Sequence, residues 1–414
     1  MGDGALPDQG LKKDELLARL DEMRAGDADW RSGRTFSLVY NLDDDEHEEA
    51  LEEVAIRFLH ENALNPFKFP SLVQMDQEVV SAAGHLLHAP DPRHGKLTSG
   101  GTESLFLAVQ SARDWARNVG GIAEPNLVTP ITAHPALAKA AHYLDIEQRK
   151  VGVGPSGRVD PDSIEAAMDS DTALIVGSAP NYPFGVIDPI PELGEIAQRH
   201  GTLLHVDGCL GGWLLPFWEE LGERLPCQWD FRVPGVTSIS ADVHKYGYAY
   251  KGASVIIYRD KAVLEQQYFL YDEWPGGLYG SATTAGTRSA SPIAGAWAAT
   301  RLLGHDGYLA ATAKVRDAFH AFIEGIEAIE GLVVTGTPDV ACFEFGSDRY
   351  DIAAIGDVMD DRGWHLDRQQ GGLHLIVFPF HTKIVPEFLD DLAHAVTTHG
   401  ESRGTAAVYG AVGD

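Results

Sequence analysis

The run LLHVDGCLGG at residues 203–212 carries the strongest indication of the fold. A short apolar segment ends at the carboxylate of Asp207 and passes directly into glycine-rich sequence, which is typical of a buried strand followed by a tight turn. In α/β folds, ligands bind beyond the carboxyl ends of parallel strands. Asp207 is therefore the first candidate for a functional residue.

Short apolar runs and helical patterns alternate on both sides of this segment. Strands are predicted at residues 126–129, 172–177, 202–206, 236–240 and 254–258. Helices are predicted at residues 104–118, 136–144, 162–168 and 191–199. This alternation predicts an α/β fold with a mostly parallel sheet wrapped by helices.

The pattern changes towards both ends of the chain. Beyond the Gly/Ser/Thr-rich residues 276–291, a long helical pattern leads to short strands such as residues 332–335 and to a final helix near residues 387–398. This order predicts a smaller α+β C-terminal domain. At the other end, we expect an amphipathic helix at residues 11–24 and a second helix at about residues 43–60.

The length of 414 residues suggests two or three structural units. We expect an N-terminal arm with helices at residues 1–60, a large domain at residues 61–290 and a small domain at residues 291–414. The 44% of apolar and 22% of charged residues are ordinary for a globular protein.

The chain is strongly acidic, with 61 acidic and 32 basic residues and a net charge of −29. Such a charge repels phosphate backbones and anionic lipid surfaces, so we expect no nucleic acid partner. An anionic small-molecule substrate would need a locally basic pocket. This requirement guides the choice of candidate residues.

Three scattered cysteines, Cys209, Cys227 and Cys342, suit neither a disulfide framework nor a four-ligand zinc site. The N-terminal sequence has no signal-peptide pattern, and the apolar runs are too short for a membrane span. We therefore expect a cytoplasmic protein with no metal and no membrane span.

Two further segments complete a candidate site with Asp207. Residues 99–104, SGGTES, precede a helical pattern, so their glycines stand where a helix N-terminus presents free N–H groups suited to phosphate. A glycine turn with a threonine N-cap is the structural alternative. Residues 238–245, SISADVHK, end another strand and deliver Lys245 to the same edge of the sheet, although an isolated lysine there would usually be a surface residue.

A phosphate cradle, a strand-end acid and a strand-end lysine are the three contacts that pyridoxal 5′-phosphate requires. The lysine attaches the cofactor covalently, the acid pairs with the pyridine nitrogen, and the helix terminus holds the phosphate. We therefore expect this cofactor, with Lys245 and Asp207 as its principal ligands.

Several segments also resemble one family, the sphingosine-1-phosphate lyases, in the decarboxylase-like branch of fold-type I pyridoxal phosphate enzymes. The resemblance lies in LTSGGTESLFLA (97–108), NYPFGVIDPIPEL (181–193), LHVDGCLGGWLLPF (204–217), DFRVPGVTSISADVHKYGYAYKGAS (230–254), GGLYGSATTAGTR (276–288) and, more weakly, GTAAVYGAVGD (404–414). It extends from about Trp30 onward and implies the fold-type I architecture.

The resemblance implies roles for individual residues. Lys245 would be the covalent attachment point, Asp207 the partner of the pyridine nitrogen, and His134 the imidazole stacked on the cofactor ring. His134 at a helix N-terminus also has a purely structural interpretation. The other cofactor contacts implied by the resemblance are Gly101, Thr102, Ser240 and His244.

Around the substrate, the resemblance implies a second functional lysine, Lys251, and a substrate-contacting tyrosine, Tyr40. Together with His244 and Arg288, these residues would supply donors for a second phosphate. Ser281 would lie in a loop that crosses a dimer interface and reaches the cofactor phosphate of the neighbouring subunit. The resemblance therefore implies an obligate homodimer in which the two subunits share their active sites.

Two departures concern the substrate pocket. Residues 65–70, NPFKFP, are shorter than the corresponding family loop and lack its histidine, and Tyr250 stands where proline is common. Substrate identity is therefore less well defined by the sequence than cofactor chemistry.

The resemblance implies a carbon–carbon lyase. Its substrate would be a phosphorylated long-chain amino alcohol, and cleavage of the C2–C3 bond would release an aldehyde and phosphoethanolamine, with Lys245 as the base. An L-amino-acid decarboxylase would use the same Lys245, Asp207 and His134 and stays as the alternative. A catalytically silent relative is disfavoured because the set of cofactor residues is complete.

Overall fold

The computed structural model describes Leu6, residues 9–405 and residues 407–409. The strands are β1 (His94–Thr98), β2 (Asn126–Pro130), β3 (Glu147–Val151), β4 (Thr172–Ser178), β5 (Leu203–Asp207), β6 (Ser238–Ala241), β7 (Ser254–Tyr258), β8 (Phe269–Tyr271), β9 (Tyr279–Ser281), β10 (Val333–Val334), β11 (Cys342–Gly346), β12 (Asp367–Arg368) and β13 (Leu373–Ile376). The helices are α1 (Lys13–Arg24), α2 (Asp45–Arg57), α3 (Pro70–Leu86), α4 (Gly101–Asn118), α5 (Ala136–Leu144), α6 (Pro161–Ala167), α7 (Ile190–His200), α8 (Leu215–Glu220), α9 (Lys261–Glu265), α10 (Ala290–Glu327), α11 (Ile352–Asp361) and α12 (Val385–Thr398).

Seven strands form the large sheet in the order β1-β7-β6-β5-β4-β2-β3. The neighbours from β6 through β3 pair in parallel, whereas β7 is antiparallel to both β6 and β1. The prediction of a mostly parallel sheet is therefore confirmed.

The large sheet is buried on both faces, which explains its continuous apolar runs. All seven residues of β4 are buried. Successive side chains of a strand point to opposite faces, so Leu174 and Val176 pack in the core beneath α4 and α5, while Ile175 belongs to the core on the other face. Helices cover both of these faces.

A second, antiparallel sheet forms the C-terminal part, in the order β10-β11-β13-β12. It is reached through the long helix α10, whose regular geometry is interrupted at Gly304, and it is accompanied by α11 and α12. This is the smaller α+β domain that the sequence predicted. The exact domain boundaries at residues 60 and 290 stay a prediction.

The N-terminal segment joins this small sheet instead of standing apart as an arm. Phe36 N donates to His365 O at 3.3 Å, and Ile376 N donates to Phe36 O at 3.0 Å. Helix α1 forms as predicted, but none of its residues is buried, and Leu16, Leu17 and Leu20 are exposed. Over the described part of the chain, every helix is too short or too polar to traverse a lipid bilayer.

The parallel strands bring the candidate residues to one edge. Strands β4, β5 and β6 are neighbours, and their carboxyl ends lead to Tyr182, Asp207 and Lys245 respectively. Strand β1 leads into α4, which begins at Gly101. The fold therefore gathers residues that are distant in the sequence at the position where α/β proteins bind ligands.

Candidate active site

Lys245 lies in a tight turn that directly follows β6. Its backbone N–H donates to Asp242 O at 3.2 Å, and this turn places the two side chains on the same side. Lys245 Nζ lies 2.8 Å from Asp242 Oδ2, and the Asp242 side chain is only 2% exposed. Within the described residues, the other oxygen, Asp242 Oδ1, is buried without a hydrogen-bond partner.

Lys245 and Asp242 form an ion pair. Burial alone would lower the pKa of Lys245, but the adjacent Asp242 carboxylate outweighs it, and the pKa is raised well above its usual value. Burial likewise opposes ionisation of Asp242, yet Lys245 and His244 hold its pKa below the usual range. In this state the amine is protonated and does not act as a nucleophile.

The cradle at the start of α4 has the form expected for an anion site. Gly100 is the N-cap and no side chain caps the helix, so the threonine N-cap considered from the sequence does not form. The first N–H groups of a helix lack intrahelical partners and carry positive partial charge. A Cβ on Gly101 would lie 2.7 Å from Asp242 Oδ2 and 3.0 Å from Cys209 Sγ, so only glycine allows this close approach.

Glu103 stabilises the loop beside this cradle. Its Oε2 accepts a hydrogen bond from Ser99 N at 2.6 Å, and its Oε1 accepts one from Thr284 N at 2.8 Å. Burial opposes ionisation, but these donors lower the pKa of Glu103 below its usual value. The carboxylate therefore ties the loop that follows β9 to the helix terminus.

Asp207 ends β5 and is held by the turn that follows it and by the neighbouring strand β6. Its Oδ1 accepts from Cys209 N at 3.0 Å and from Ser240 Oγ at 3.4 Å. Ser240 is fully buried and also contacts His205 Nε2 at 3.2 Å. The structure thus places Ser240 behind Asp207, where it orients the carboxylate. Its direct contact with the cofactor stays a prediction.

His134 follows β2 and faces the same space. Its Nδ1 accepts a hydrogen bond from Ala136 N at 3.1 Å, which leaves the proton on Nε2. Nε2 then donates to Tyr409 Oη, 3.0 Å away. Burial lowers the pKa of His134, so the ring is neutral at neutral pH. Tyr409 was missed as a site residue, although it lies in the C-terminal segment that carries part of the resemblance.

Two adjoining cavities meet at Lys245. The first, of about 330 Å³, is lined by the α4 cradle, His134 and Asp242. The second, of about 620 Å³, is lined by Tyr40, Lys251, Tyr182 and other residues. His244, Lys245 and Tyr409 line both. The amine therefore lies between a phosphate cradle and a larger chamber.

Lys251 is the second cation of the larger chamber. Its Nζ donates to His244 O at 3.2 Å and lies 4.8 Å from the centre of the Tyr40 ring. Lys251 is exposed to solvent, although protein groups are crowded around its ammonium group. Partial burial and the charge of Lys245 together lower the pKa of Lys251 to about 8.

His244 contributes a neutral donor at the junction of the two cavities. Ala253 N donates to His244 Nδ1 at 3.2 Å, so the proton is on Nε2. Burial lowers the pKa of His244 to about 4.

Tyr40 lines the chamber and also packs edge-on against Tyr246, with ring centres 5.2 Å apart. The position of Tyr40 is thus compatible both with contact to a substrate and with a packing role.

The lining of the larger chamber also includes an acidic group that sequence reasoning missed. Tyr182 Oη donates to Asp367 Oδ2 at 2.7 Å, and Ser37 Oγ donates to Asp367 Oδ1 at 2.9 Å. All three residues line the chamber. Tyr182 lies in a segment that carries the resemblance, whereas nothing in the sequence near Asp367 suggested a site.

Two predicted residues lie elsewhere. Arg288 donates to Leu97 O at 2.6 Å and lies 3.9 Å from Asp76, so the structure does not bring it to Lys251. Ser281 Oγ donates to Thr283 O at 2.7 Å within its own loop. Its contact with a neighbouring subunit stays a prediction.

The residues present fit pyridoxal phosphate. An amine at Lys245, a carboxylate at Asp207 and a helix terminus opened by Gly101 match the aldehyde, ring nitrogen and phosphate of the cofactor. The unpartnered Asp242 Oδ1 and the lack of room for a Cβ at Gly101 show that the cavity is adapted to a polar ligand.

Comparison with known proteins defines the family. The family model described as the pyridoxal-dependent decarboxylase conserved domain matches residues 52–341. A sphingosine-1-phosphate lyase of Oryza sativa is 41% identical over 99% of this chain and 78% of the relative. The solved structure of a Burkholderia pseudomallei sphingosine-1-phosphate lyase matches with a TM-score of 0.92 at 40% identity, covering 96% of this chain and 93% of that one.

An L-aspartate/L-glutamate decarboxylase of Pyrococcus horikoshii is 30% identical over 94% of this chain and 99% of the relative. The chain therefore belongs to the pyridoxal-dependent decarboxylase family. Within that family it belongs to the sphingosine-1-phosphate lyases, which match it at higher identity over nearly its whole length. It is an enzyme whose cofactor is pyridoxal phosphate, as the sequence predicted.

Proposed function

We propose that this enzyme cleaves the C2–C3 bond of a phosphorylated long-chain amino alcohol, releasing an aldehyde and phosphoethanolamine. The observation that carries the proposal is the second cationic subsite, Lys251 with Tyr40 and His244, in the chamber that adjoins Lys245. The relatives at 40–41% identity reported above are sphingosine-1-phosphate lyases, which supports the same substrate class.

The cofactor would be held by four groups. Lys245 would attach it covalently, Asp207 would pair with the ring nitrogen, His134 would stack on the ring, and the N-terminus of α4 at Gly101 and Thr102 would bind the phosphate. When bound, pyridoxal phosphate supplies an electron-accepting ring that makes cleavage at C2 possible.

The substrate phosphate would bind at Lys251. An ammonium group on a chamber wall attracts a phosphate strongly because the charge is partly shielded from water. The Tyr40 hydroxyl belongs to the lining of the same chamber, whereas His244 Nε2 lies 3.7 Å from Asp242 Oδ2. In a chain with a net charge of −29, this subsite provides the local basic pocket that an anionic substrate needs.

Cleavage also requires a base. The C3 hydroxyl must lose its proton as its oxygen becomes the aldehyde carbonyl and the C2–C3 bond breaks. Lys245 borders both cavities, and we assign its free-amine form to this role. A proton must then reach C2, and the same amine can deliver the one that it removed from the C3 hydroxyl.

We further propose an obligate homodimer located in the cytoplasm. The β8–β9 hairpin exposes Phe269, Leu270, Trp274 and Leu278, and helix α1 exposes its apolar face. Clustered exposed apolar side chains are characteristic of association surfaces. The hairpin continues into the loop that contacts Glu103 beside the cofactor cradle, so a partner bound there would adjoin the site.

A substrate panel tests the proposed function. The cofactor-loaded enzyme is incubated with a sphingoid-base phosphate, the same base without phosphate, L-phenylalanine and L-glutamate. Aldehyde and phosphoethanolamine from the phosphorylated base alone support the lyase. Carbon dioxide from either amino acid, with no aldehyde from the phosphorylated base, would establish the decarboxylase alternative. Lys245→Ala is the matched inactive control.

A further inference from the structure

Among the described residues that line the substrate chamber, Asp367 is the one that carries a carboxylate. Both of its oxygens accept hydrogen bonds from hydroxyl groups, Tyr182 Oη at 2.7 Å and Ser37 Oγ at 2.9 Å. Each oxygen is thus supplied with a hydroxyl donor, an arrangement that suits a carboxylate acting only as an acceptor. Asp367 therefore places a carboxylate in the chamber lining.

The neighbours of Asp367 leave this charge in place. Arg368 follows it on β12 and points to the opposite side, where Nη2 lies 3.1 Å from Asp357 Oδ1 and 2.6 Å from Asp360 Oδ2. His374 is its cross-strand partner, and burial lowers the pKa of that ring to about 4, so it is neutral. The charge of Asp367 is thus met by hydroxyl dipoles and not by a cation from these two residues.

We propose that Asp367 is a specificity-determining residue that rejects amino-acid carboxylates from the substrate chamber. This inference rests on the proposed function, in which the substrate carries its amine on C2, a phosphate on C1 and a hydroxyl on C3. Such a substrate has no carboxylate on C2, whereas every amino-acid substrate of a decarboxylase has one.

The chamber is lined by groups of opposite charge. Lys251 attracts a phosphate, whereas Asp367 repels an anion placed beside it. Each ligand must bring its amine to Lys245, which lines the same chamber, so a carboxylate on the amine-bearing carbon lies close to this lining. A C3 hydroxyl can instead donate to Asp367 or to Tyr182, because an ionised carboxylate has about four acceptor positions and only two are used.

Tyr182 is also held in place by His374. Its carbonyl oxygen accepts from His374 Nε2 at 2.9 Å, and the two rings lie 4.4 Å apart. Because the Tyr182 hydroxyl already donates a hydrogen bond to Asp367, its oxygen can only accept a hydrogen bond from a ligand. The wall formed by Tyr182 and Asp367 therefore accepts hydrogen bonds and disfavours anions.

The experiment compares two ligands that differ only by a carboxylate, L-phenylalanine and 2-phenylethylamine. Each is titrated into the cofactor-loaded enzyme, and binding is followed by the visible absorbance of the cofactor. Asp367→Asn keeps an acceptor oxygen for Tyr182 and removes the charge. We expect it to tighten L-phenylalanine by at least about tenfold, roughly 1.4 kcal/mol, and to change 2-phenylethylamine binding little.

Three controls separate the charge from structural effects. Asp367→Glu retains the charge and should retain the discrimination. Asp390→Asn removes an exposed carboxylate on α12, outside the chamber lining, and should leave both affinities unchanged. Tyr182→Phe removes the hydroxyl and leaves the charge, so it should still reject L-phenylalanine.

Two results would overturn the role of Asp367. One is equal tightening of both ligands in Asp367→Asn, and the other is no change in either. Neither result depends on turnover, so they are independent of the proposed function. Failure of the wild-type enzyme to release aldehyde from a sphingoid-base phosphate would instead overturn the proposed function, and the ratio of the two affinities would still decide the role of Asp367.

Discussion

Lys245 Nζ lies 2.8 Å from Asp242 Oδ2, so the immediate partner of Lys245 is Asp242 and not Asp207. Asp207 instead accepts hydrogen bonds from Cys209 N and Ser240 Oγ. The two acids therefore have separate tasks. Asp242 holds the amine of Lys245 protonated, whereas Asp207 is held by the turn after β5 and by β6. We propose Lys245 as the attachment point, and this role requires its amine to give up the proton that Asp242 stabilises.

Replacing Asp242 tests this pairing in the cofactor-free protein. We expect Asp242→Asn to reduce the free energy of unfolding by about 3 kcal/mol, because removing one partner of a buried pair leaves the other charge uncompensated. Urea unfolding of the cofactor-free protein measures this loss. The double variant Asp242→Asn/Lys245→Met should recover most of the stability. An unchanged unfolding midpoint in the single variant would contradict a stabilising pair.

Lys245 is expected to be the covalent attachment point. Borohydride treatment of the cofactor-loaded enzyme makes the attachment irreversible, and peptide mapping should find the label on Lys245. Lys245→Ala should show no label, whereas Lys251→Ala, the matched control in the neighbouring chamber, should be labelled as the wild type is. A label on Lys251 would reverse the assignment.

Asp207→Asn is expected to keep the fold and to bind the cofactor while losing activity by at least about a hundredfold. The amide still hydrogen-bonds but carries no charge to keep the ring nitrogen protonated, so the ring accepts electrons less well. Turnover and the visible absorbance of the bound cofactor are measured together. Ser240→Ala is the milder control because it removes one donor to Asp207 and leaves its charge. Near-normal turnover in Asp207→Asn would rule out the electron-accepting role.

Mixing two inactive variants tests whether subunits share a site. We expect Ser281→Asp to place a negative charge beside the partner's cofactor phosphate and to abolish activity. Lys245→Ala is inactive for a different reason. Co-refolding equal amounts of the two should restore about a quarter of wild-type activity, since half of the dimers would carry one intact site. A mixture that stays inactive while forming dimers would refute sharing through Ser281.

Much of the site could be predicted because it follows strands with a strong apolar pattern. Asp207 ends one buried parallel strand and Lys245 lies in the turn after another, so the end of each apolar run marks their position. Gly101 was predictable for a similar reason, because a long amphipathic helix begins at this residue. In each case, local sequence determines both the element and the place of the residue at its end.

The part of the site around Asp367 and Tyr409 depends on long-range packing, which a local sequence pattern does not reveal. Strand β12 is only two residues long, Asp367 and Arg368, and its register with His374 is set by the small sheet as a whole. Tyr409 reaches His134 because Asp357 binds the preceding tail through Arg403 N at 2.6 Å. No periodicity in the sequence predicts these contacts.

The pH dependence of substrate binding provides a test of Lys251. Its pKa is lowered to about 8, so the side chain is mostly protonated at pH 7 and loses its charge as the pH rises through 8. A phosphate monoester has its second pKa near 6 and remains dianionic over this range. We therefore expect KM for the phosphorylated substrate to rise by about tenfold between pH 7 and 9.5, with a smaller change in kcat. Lys251→Arg keeps its charge throughout and should remove most of this rise. Titration of the substrate amine affects both enzymes equally, so identical KM profiles would exclude Lys251 as the phosphate-binding cation.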